Sequence, residues 1–358
     1  MKHFPAVALL GATLVLSACA TTSSDDPTPG TDTSSTPIVF STDMAMGLTS
    51  GATNGTAAAP SDIDDSWAYA LAATQGALDI RGVVVTMGNN MAAPEVEVAR
   101  QTVAAMETDV PVVMGATVWL DDAKSVDDTP IPTDGCVNDG VRFLRDEAER
   151  TPGLIILAIG PMTDVACLAT QFPEQADNLG GVVALTGSAP GPLLLDGKKV
   201  RDFNYVMDPR ALQVVLDETD VDFTAIMFGV SSQGPIKTQE IEQLGNSSDP
   251  RAAFFGTQST PMAKYWAEVI SNKKPIWDAA VVWYQLNPQH MKCAQMGYKL
   301  KVGPPLQQQG EVYDYFDPKF TESKRQVTAC TEWSSPAAID QYTAATWQAV
   351  GGSGSPTG

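Results

Sequence analysis

Short apolar runs rich in β-branched residues recur along the chain, and helical patterns lie between them. The runs are Ile38–Phe40, Ile80–Met87, Val110–Met114, Leu154–Ile159, Val182–Leu185 and Phe223–Phe228. Continuous apolar runs are typical of parallel strands that are buried on both faces. Consecutive parallel strands need a crossover connection, which is usually a helix. This alternation limits the possible folds more than any other feature of the sequence.

The segments between these runs have the spacing of amphipathic helices. Such spacing is found in Pro94–Met106, Val137–Arg150 and Met162–Phe172. Asp208 followed by Pro209 predicts another helix start, because Asp caps a helix and Pro fits its first turn. The sequence therefore predicts an α/β protein with an open, Rossmann-like, mostly parallel sheet and helices on both faces.

The C-terminal third is less regular. Pro261–Ile270 and Asp278–Leu286 are predicted to be helical, and Pro336–Val350 is predicted to be a terminal helix. Gln295–Val302 and Glu311–Phe316 predict a small hairpin. The predicted sheet thus carries small accessory C-terminal elements.

The N-terminus has the pattern of a bacterial signal peptide. Lys2 precedes an apolar stretch from Phe4 to Val15, which is too short to span a bilayer permanently. Leu16-Ser17-Ala18-Cys19 resembles a lipobox, which implies cleavage before Cys19 and lipidation of its sulfur. The alternative is an ordinary secretory signal with a chance cysteine. Ala20 gives no Asp retention signal, so the expected location is the outer membrane, facing the periplasm.

The residues after Cys19 predict a disordered tether. They are small or polar, with several prolines and no large apolar side chain. The predicted organisation is a signal peptide over 1–18, a lipidated tether over 19–36, one folded domain over 37–350, and a disordered tail over 351–358.

Charge and cysteine content limit the partners and the compartment. The formal net charge of −20 over 358 residues disfavours nucleic acids and anionic membrane surfaces. Membrane contact is therefore expected only through the N-terminal lipid. Besides Cys19 the chain has four cysteines, and an even number in an oxidising compartment predicts disulfides. Of three connectivities we favour pairing of sequence neighbours, Cys136 with Cys167 and Cys293 with Cys330.

Carboxylates stand at two places that this fold would bring together. Asp43 follows the first strand, and Asp64-Asp65 open the next helix after a loop of small residues from Ala45 to Ser61. Open α/β sheets bind ligands in a crevice at the carboxyl ends of their strands. Clustered carboxylates repel one another unless a cation lies between them, and oxygen ligands suit Ca²⁺ or Mg²⁺. The alternative is that these residues only cap the helix.

Four more polar groups lie next to predicted strands and helices. They are Gly88-Asn89-Asn90, Gly160-Pro161-Met162-Thr163-Asp164, Asp202-Phe203-Asn204 and Trp277-Asp278. Each group alone is a weak signal, because such residues also form turns and caps. In their order along residues 37–288, however, they resemble the motifs of the inosine-uridine preferring nucleoside hydrolase family. The first motif of that family, Asp-Thr-Asp-x-x-x-Asp-Asp, appears as Ser41-Thr42-Asp43 and then Asp64-Asp65.

The resemblance implies a Ca²⁺ site and a ribose site. The implied Ca²⁺ ligands are Asp43, Asp65, Asp278 and the main-chain carbonyl of Thr163. The implied contacts to ribose hydroxyls come from Asp64, Asn89, Asp202 and Asn204. The implied reaction is hydrolysis of the N-glycosidic bond of ribonucleosides through an oxocarbenium-like transition state. Asp43 is the implied general base, and the metal would lower the pKa of the attacking water.

The sequence departs from the family pattern at three positions. Ser41 replaces the first Asp of the first motif, and Asp202 replaces a longer Glu that contacts ribose. Many members carry a His, as leaving-group acid, where this chain has Trp277. His290 is the single histidine of the mature chain and lies well downstream.

An aromatic side chain could take part in base binding in place of that histidine. Trp277 is the first candidate, with Trp67 and Trp119 as others, although core packing is an alternative for each of them. Stacking on an aromatic surface favours purines over the smaller pyrimidines.

Three functions remain open from the sequence. The first is a Ca²⁺-dependent nucleoside hydrolase that prefers purine nucleosides. The second is a nucleoside- or sugar-binding lipoprotein that has lost turnover, and the third is a hydrolase of another ribosyl or glycosyl bond. The expected partner is a small-molecule nucleoside, and homo-oligomerisation is left open.

Overall fold

The computed structural model describes residues 35–49, 59–120, 135–187, 193–300 and 316–356. The strands are β1 (Thr36–Thr42), β2 (Leu78–Val85), β3 (Val112–Met114), β4 (Ile155–Ala158), β5 (Gly181–Leu185), β6 (Leu193–Leu195), β7 (Lys198–Val200), β8 (Phe223–Ile226), β9 (Ile236–Lys237), β10 (Lys273–Lys274), β11 (Met291–Tyr298), β12 (Phe316–Asp317) and β13 (Val327–Trp333). The helices are α1 (Asp64–Ala73), α2 (Ala92–Ala105), α3 (Asp139–Arg150), α4 (Thr163–Gln171), α5 (Pro173–Ala176), α6 (Phe203–Met207), α7 (Pro209–Asp217), α8 (Phe228–Ser231), α9 (Thr238–Leu244), α10 (Pro250–Val269), α11 (Ala279–Leu286) and α12 (Pro336–Ala349). The predicted signal peptide, Cys19 and nearly all of the tether lie outside the described residues, as do residues 50–58 of the small-residue loop.

Nine of these strands form one sheet, in the order β12-β11-β13-β8-β5-β4-β1-β2-β3. The seven strands from β13 to β3 are parallel. At one edge β11 pairs antiparallel with β13, and β12 pairs antiparallel with β11. The prediction of a mostly parallel α/β sheet is therefore confirmed.

Each central strand contributes side chains to two apolar cores, one on each face of the sheet. In β1, Ile38 and Phe40 belong to one core and Val39 to the other. In β4, Leu157 belongs to the first core and Ile156 to the second. Because neighbouring side chains of a strand point to opposite faces, continuous apolar runs are what two covered faces require.

The C-terminal region differs from the prediction in three ways. β13 was not predicted, and it joins the sheet parallel to β8. The predicted hairpin is present where β11 pairs with β12, but it continues the main sheet instead of standing apart. Helix α10 begins at Pro250, capped by Asp249, and contains Pro261 in its interior. The sequence pattern placed the start at Pro261 because proline is commonest in a first turn.

Both predicted disulfides are present. Cys136 pairs with Cys167 on α4, and Cys293 pairs with Cys330 between β11 and β13. In the segment predicted as a disordered tail, the amide of Gly352 donates to the carbonyl of Trp347. Within the described part of the chain, no helix has both the length and the apolar character needed to cross a membrane.

The sheet topology creates one crevice near its centre. β1 and β4 are neighbours, but the chain runs from β1 outward to β2 and β3, and from β4 outward to β5 and β8. Helices that follow β1 and β4 therefore leave in different directions. Such a switch point is where open α/β sheets bind ligands, and Asp43 and Gly160 follow these two strands.

Candidate active site

Asp43 is buried at the switch point, where two glycines let other loops approach it. A β-carbon on Gly88 would lie 2.1 Å from Asp43 Oδ2, and one on Gly160 would lie 2.8 Å from the Asp43 amide nitrogen. The backbone amide of Asn89 donates to Asp43 Oδ2 over 2.8 Å. Asp43 Oδ1 is buried with no hydrogen-bond partner. One carboxylate oxygen is thus held by the protein, and the other is left for a ligand.

Three further carboxylates meet beside Asp43. Asp64 and Asp65 are the first two residues of α1, and Asp278 directly precedes α11. One oxygen from each of these three lies within 4.8 Å of the others. Two helix N-termini therefore point at the cluster, and their dipoles favour negative charge there.

Burial raises the pKa of Asp43, Asp64, Asp65 and Asp278 well above its usual value, and the neighbouring carboxylates raise it further. Four buried carboxylates without a counter-charge are unfavourable in a low-dielectric site. Asp278 Oδ1, like Asp43 Oδ1, has no hydrogen-bond partner. An all-oxygen donor set with unpartnered atoms fits a hard divalent cation such as Ca²⁺.

The carboxylate cluster differs in one member from the predicted ligand set. Asp64, predicted to contact ribose, lies with Asp65 and Asp278, while Asp43 is not among the three that meet within 4.8 Å. Asp65 links the two groups, because its Oδ1 accepts from the amide of Asp43 over 3.3 Å. The same Oδ1 accepts from the hydroxyl of Thr42.

A fully buried lysine supplies positive charge next to this cluster. Lys274 Nζ lies 2.8 Å from Asp62 Oδ1 and donates to the carbonyl of Pro275 over 3.0 Å. It also lies 4.8 Å from the ring centre of Trp266. The charge of Lys274 lowers the pKa of Asp64, against the larger effect of burial.

The carboxylates form part of the wall of a cavity of about 390 Å³. That volume is sufficient for a small organic ligand. Much of the remaining wall is aromatic and comes from Phe203, Phe228, Tyr265, Trp266 and Trp277. Trp277 is held from two sides, with ring centres 5.3 Å from Phe228 and 6.4 Å from Trp266.

Asn89 and Asn204 line the same cavity, as their predicted roles require. The side-chain amide of Asn89 donates to Asp65 Oδ2 over 3.4 Å and to the carbonyl of Asp43 over 3.3 Å. The amide of Asn204 donates to the carbonyls of Ile159 and Leu185, at the ends of two strands. Both side chains therefore tie strand ends together at the cavity wall.

Neither Asp202 nor Thr163 is part of the described cavity lining, so the ribose contact of Asp202 and the carbonyl ligand of Thr163 stay predictions. Asp202 caps α6 and accepts from the amide of Gly187, so its carboxylate organises the loop. The hydroxyl of Thr163 donates to Asp208 Oδ2 over 2.7 Å. The sequence could not separate a binding Asp from a capping Asp, because both precede a helix.

The other aromatic candidates and the histidine lie away from the cavity lining described here. Trp67 is fully buried and donates to Ser259 over 2.9 Å, so it is a core residue. Trp119 donates to the carbonyl of Met87. His290 accepts from Trp283 Nε1 over 3.2 Å. Of the three candidate tryptophans, only Trp277 lines the described cavity.

Several residues of the site were not predicted. Lys274 precedes Asp278 by four residues, and Arg201 directly precedes the Asp202-Phe203-Asn204 motif. Both are basic residues close to acidic motifs in an acidic chain, and that proximity is the signal that could have identified them. Tyr265 and Trp266 on α10 also line the cavity. No local sequence pattern predicts this, because their position depends on how α10 packs.

Glu95 on α2 is a buried acid behind Asp43. Its Oε1 accepts from the amide of Asn90, and its Oε2 is buried with no partner. Burial raises the pKa of Glu95 to about 9. Its charge, when present, raises the pKa of Asp43. A neutral Glu95 therefore lets Asp43 ionise more easily.

Glu95→Gln is expected to change how stability depends on pH. Between its ordinary pKa and about 9, Glu95 is protonated only in the folded state. The unfolded state therefore binds fewer protons, and the free energy of unfolding falls as pH rises. The variant should remove up to about 1.4 kcal/mol per pH unit from this fall between about pH 5 and 8. Urea unfolding in chelator measures it, with exposed Glu97→Gln as control, and parallel curves for Glu95→Gln and wild type would contradict it.

Comparison with known proteins identifies the family. Residues 60–340 match the model for the inosine-uridine preferring nucleoside hydrolases. A probable uridine nucleosidase from Arabidopsis thaliana is 26% identical over 54% of this chain, and the match spans 64% of that relative, less than two thirds of its length. A pyrimidine-specific ribonucleoside hydrolase from Escherichia coli is 23% identical over 71% of this chain and 86% of its own.

Solved structures show the same fold. The purine-preferring ribonucleoside hydrolase from Gardnerella vaginalis superimposes with a TM-score of 0.65 at 16% identity, over 88% of this chain and 99% of its own. Since the family model matches more than half of the sequence, this chain belongs to the inosine-uridine preferring nucleoside hydrolase family.

Proposed function

We propose that the protein hydrolyses the N-glycosidic bond of ribonucleosides, with Ca²⁺ as cofactor, and releases ribose and a free base. The observation that carries the proposal is the unpartnered Oδ1 of Asp43 beside a carboxylate cluster, in a cavity with aromatic walls. Hydrolysis needs a base for the attacking water, and Asp43 Oδ1, which no other group among the described residues binds, is available for that role.

In the proposed reaction, individual residues of the chain have separate roles. Asp43 Oδ1 takes the proton of water as its oxygen attacks the anomeric carbon, while the Asn89 amide keeps Oδ2 in place. Ribose hydroxyls are bound by Asp64, Asn89 and Asn204, which line the cavity. When bound, Ca²⁺ would neutralise the carboxylates, orient the sugar and lower the pKa of a water molecule.

Purine nucleosides are the proposed preferred substrates. The support is the aromatic wall, because Trp277, Trp266 and Tyr265 offer more stacking surface to a purine than to a pyrimidine. Deoxynucleosides should be poor substrates, because buried ribose-binding groups would be left unpaired. The comparison of inosine, guanosine, uridine and 2′-deoxyinosine, with and without chelator, tests these points. Faster cleavage of uridine would refute the purine preference, and no hydrolysis of any nucleoside would favour the binding-lipoprotein alternative.

The proposed Ca²⁺ site gives a second expected result. Ca²⁺ should raise the melting temperature of the wild type, since a ligand that binds only the folded state and is present at 100 times its Kd adds about 2.7 kcal/mol to the free energy of unfolding. Asp65→Asn should lose most of that rise, because the change removes charge and keeps shape. Asp139→Asn, whose carboxylate is exposed, is the matched control. An equal rise in all three proteins would place the ion elsewhere.

The proposed location is the periplasmic face of the bacterial outer membrane, through a lipid on Cys19. The support is the sequence Leu16-Ser17-Ala18-Cys19 and the polar stretch after it. Metabolic labelling with a palmitate analogue should tag the wild type and leave Cys19→Ala unlabelled. Equal labelling of both proteins would refute the lipoprotein assignment.

A further inference from the structure

We propose that Arg201 stabilises the departing base, a role that the histidine-free motif at Trp277 leaves without a residue. This inference rests on the proposed hydrolase function. It assigns Arg201 as a catalytic residue that contacts the leaving group, not the ribose.

The backbone of Arg201 is held firmly at the cavity wall. Asp202 is fixed by bonds to the Thr186 hydroxyl and the Gly187 amide, at 2.7 and 2.8 Å. Asn204 is fixed to the ends of β4 and β5. The side chain of Arg201 itself lines the cavity. The guanidinium of Arg201 therefore extends from a fixed backbone position at the cavity wall.

The guanidinium of Arg201 is not fully hydrogen-bonded by the protein. Its Nη1 is buried with no hydrogen-bond partner, and Arg201 has no ion pair with a carboxylate of the described residues. Yet the chain has 42 acidic and 22 basic residues, so carboxylate partners are plentiful. A buried donor without a partner is unfavourable by about 1–3 kcal/mol, and more when it is charged. Burial accordingly lowers the pKa of Arg201. A ligand that accepts hydrogen bonds would remove this penalty.

Arg201 lines the same cavity as the carboxylates Asp43, Asp64, Asp65 and Asp278, but it forms no ion pair with any of these four described residues. A ribose bound at those carboxylates would extend its base toward the rest of the cavity. That part has the aromatic walls, and Phe203, two residues after Arg201, belongs to them.

The chemistry of bond cleavage calls for a donor at the base. When the bond between C1′ and the base nitrogen breaks, its electron pair moves to that nitrogen, and negative charge builds on the ring. The guanidinium donates hydrogen bonds to this charge and keeps its proton, because arginine is not deprotonated in proteins. The base then takes its proton from bulk water. Arg201 is thus an electrostatic stabiliser and not a general acid.

The test compares two leaving groups. Inosine releases a poor leaving group, whereas p-nitrophenyl β-D-ribofuranoside releases a stable phenolate that needs little help. Arg201→Met should lower kcat/KM for inosine about 100-fold or more, in the range for loss of one such donor, and by less than about 10-fold for the p-nitrophenyl riboside. Arg201→Lys keeps the charge and should fall between. Lys198→Met, which removes an exposed cation outside the described cavity lining, should leave both rates near wild type.

Equal losses on the two substrates, or no loss on inosine, would refute the role of Arg201. Melting temperatures near wild type are needed to exclude misfolding of the Met variant, and Arg201→Lys provides the same comparison if that variant is unstable. A wild type that cleaves the p-nitrophenyl riboside but no nucleoside would contradict both the role of Arg201 and the hydrolysis of nucleosides, and would favour a hydrolase of another ribosyl bond. A wild type that cleaves neither substrate would contradict the proposed function as well.

Discussion

Asp43→Asn is expected to lower kcat/KM for nucleoside hydrolysis about 1000-fold, within the range that general base catalysis contributes. Asparagine keeps the shape and the hydrogen bond from Asn89, but it cannot take a proton from water. The effect should therefore fall on kcat more than on KM. The measurement is release of free base from inosine in saturating Ca²⁺.

His290→Ala is the comparison for this result. His290 bonds to Trp283 and is separate from the described cavity lining, so its loss should leave turnover near wild type. A folded His290→Ala without activity would show that a proton donor has been missed. An Asp43→Asn enzyme that keeps a tenth of wild-type activity would exclude Asp43 as the base.

The sheet could be predicted because its signal is local. Each central strand is a short apolar run, and an uninterrupted run indicates that both faces of the sheet are buried. In β1, for example, Val39 packs in one core and its neighbours Ile38 and Phe40 pack in the other. Strand β13, which lies between β8 and β11, gave no such signal. Buried and less buried positions are mixed along it, and its pairing with β8 depends on residues about 100 positions earlier in the chain.

The site could be predicted only where residues stand at strand ends or helix starts. Asp43, Asp64 and Asp65 line one cavity because the strand end and the helix start that carry them lie at the same edge of the sheet. The same reasoning does not decide the role of Asp202, which caps α6, since a capping Asp and a binding Asp occupy the same kind of position. It also missed Lys274, whose role depends on which helices pack around it. Burial and pairing are tertiary properties, and a short motif does not contain them.

Lys274→Met is expected to destabilise the metal-free protein by about 3 kcal/mol. Removing one member of a buried ion pair leaves the other uncompensated, typically at 3–5 kcal/mol. We expect the lower end of this range because the Asp62 side chain is 21% exposed, so water partly compensates its charge. Loss of Lys274 also removes the positive charge that lowers the pKa of Asp64. Chemical unfolding in chelator measures the change, and Lys273→Met, one residue away on the same strand, is the control of equal charge.

The double variant Lys274→Met with Asp62→Asn separates charge from packing. If the loss comes from an unpaired Asp62, removing that charge as well should restore part of the stability. Recovery should be incomplete, because the contact of the ammonium with the Trp266 ring, at 4.8 Å, is lost in both variants. A double variant as unstable as Lys274→Met alone would show that Lys274 acts through packing. In that case the carboxylate cluster would depend on a bound cation, and not on this lysine, for its balance of charge.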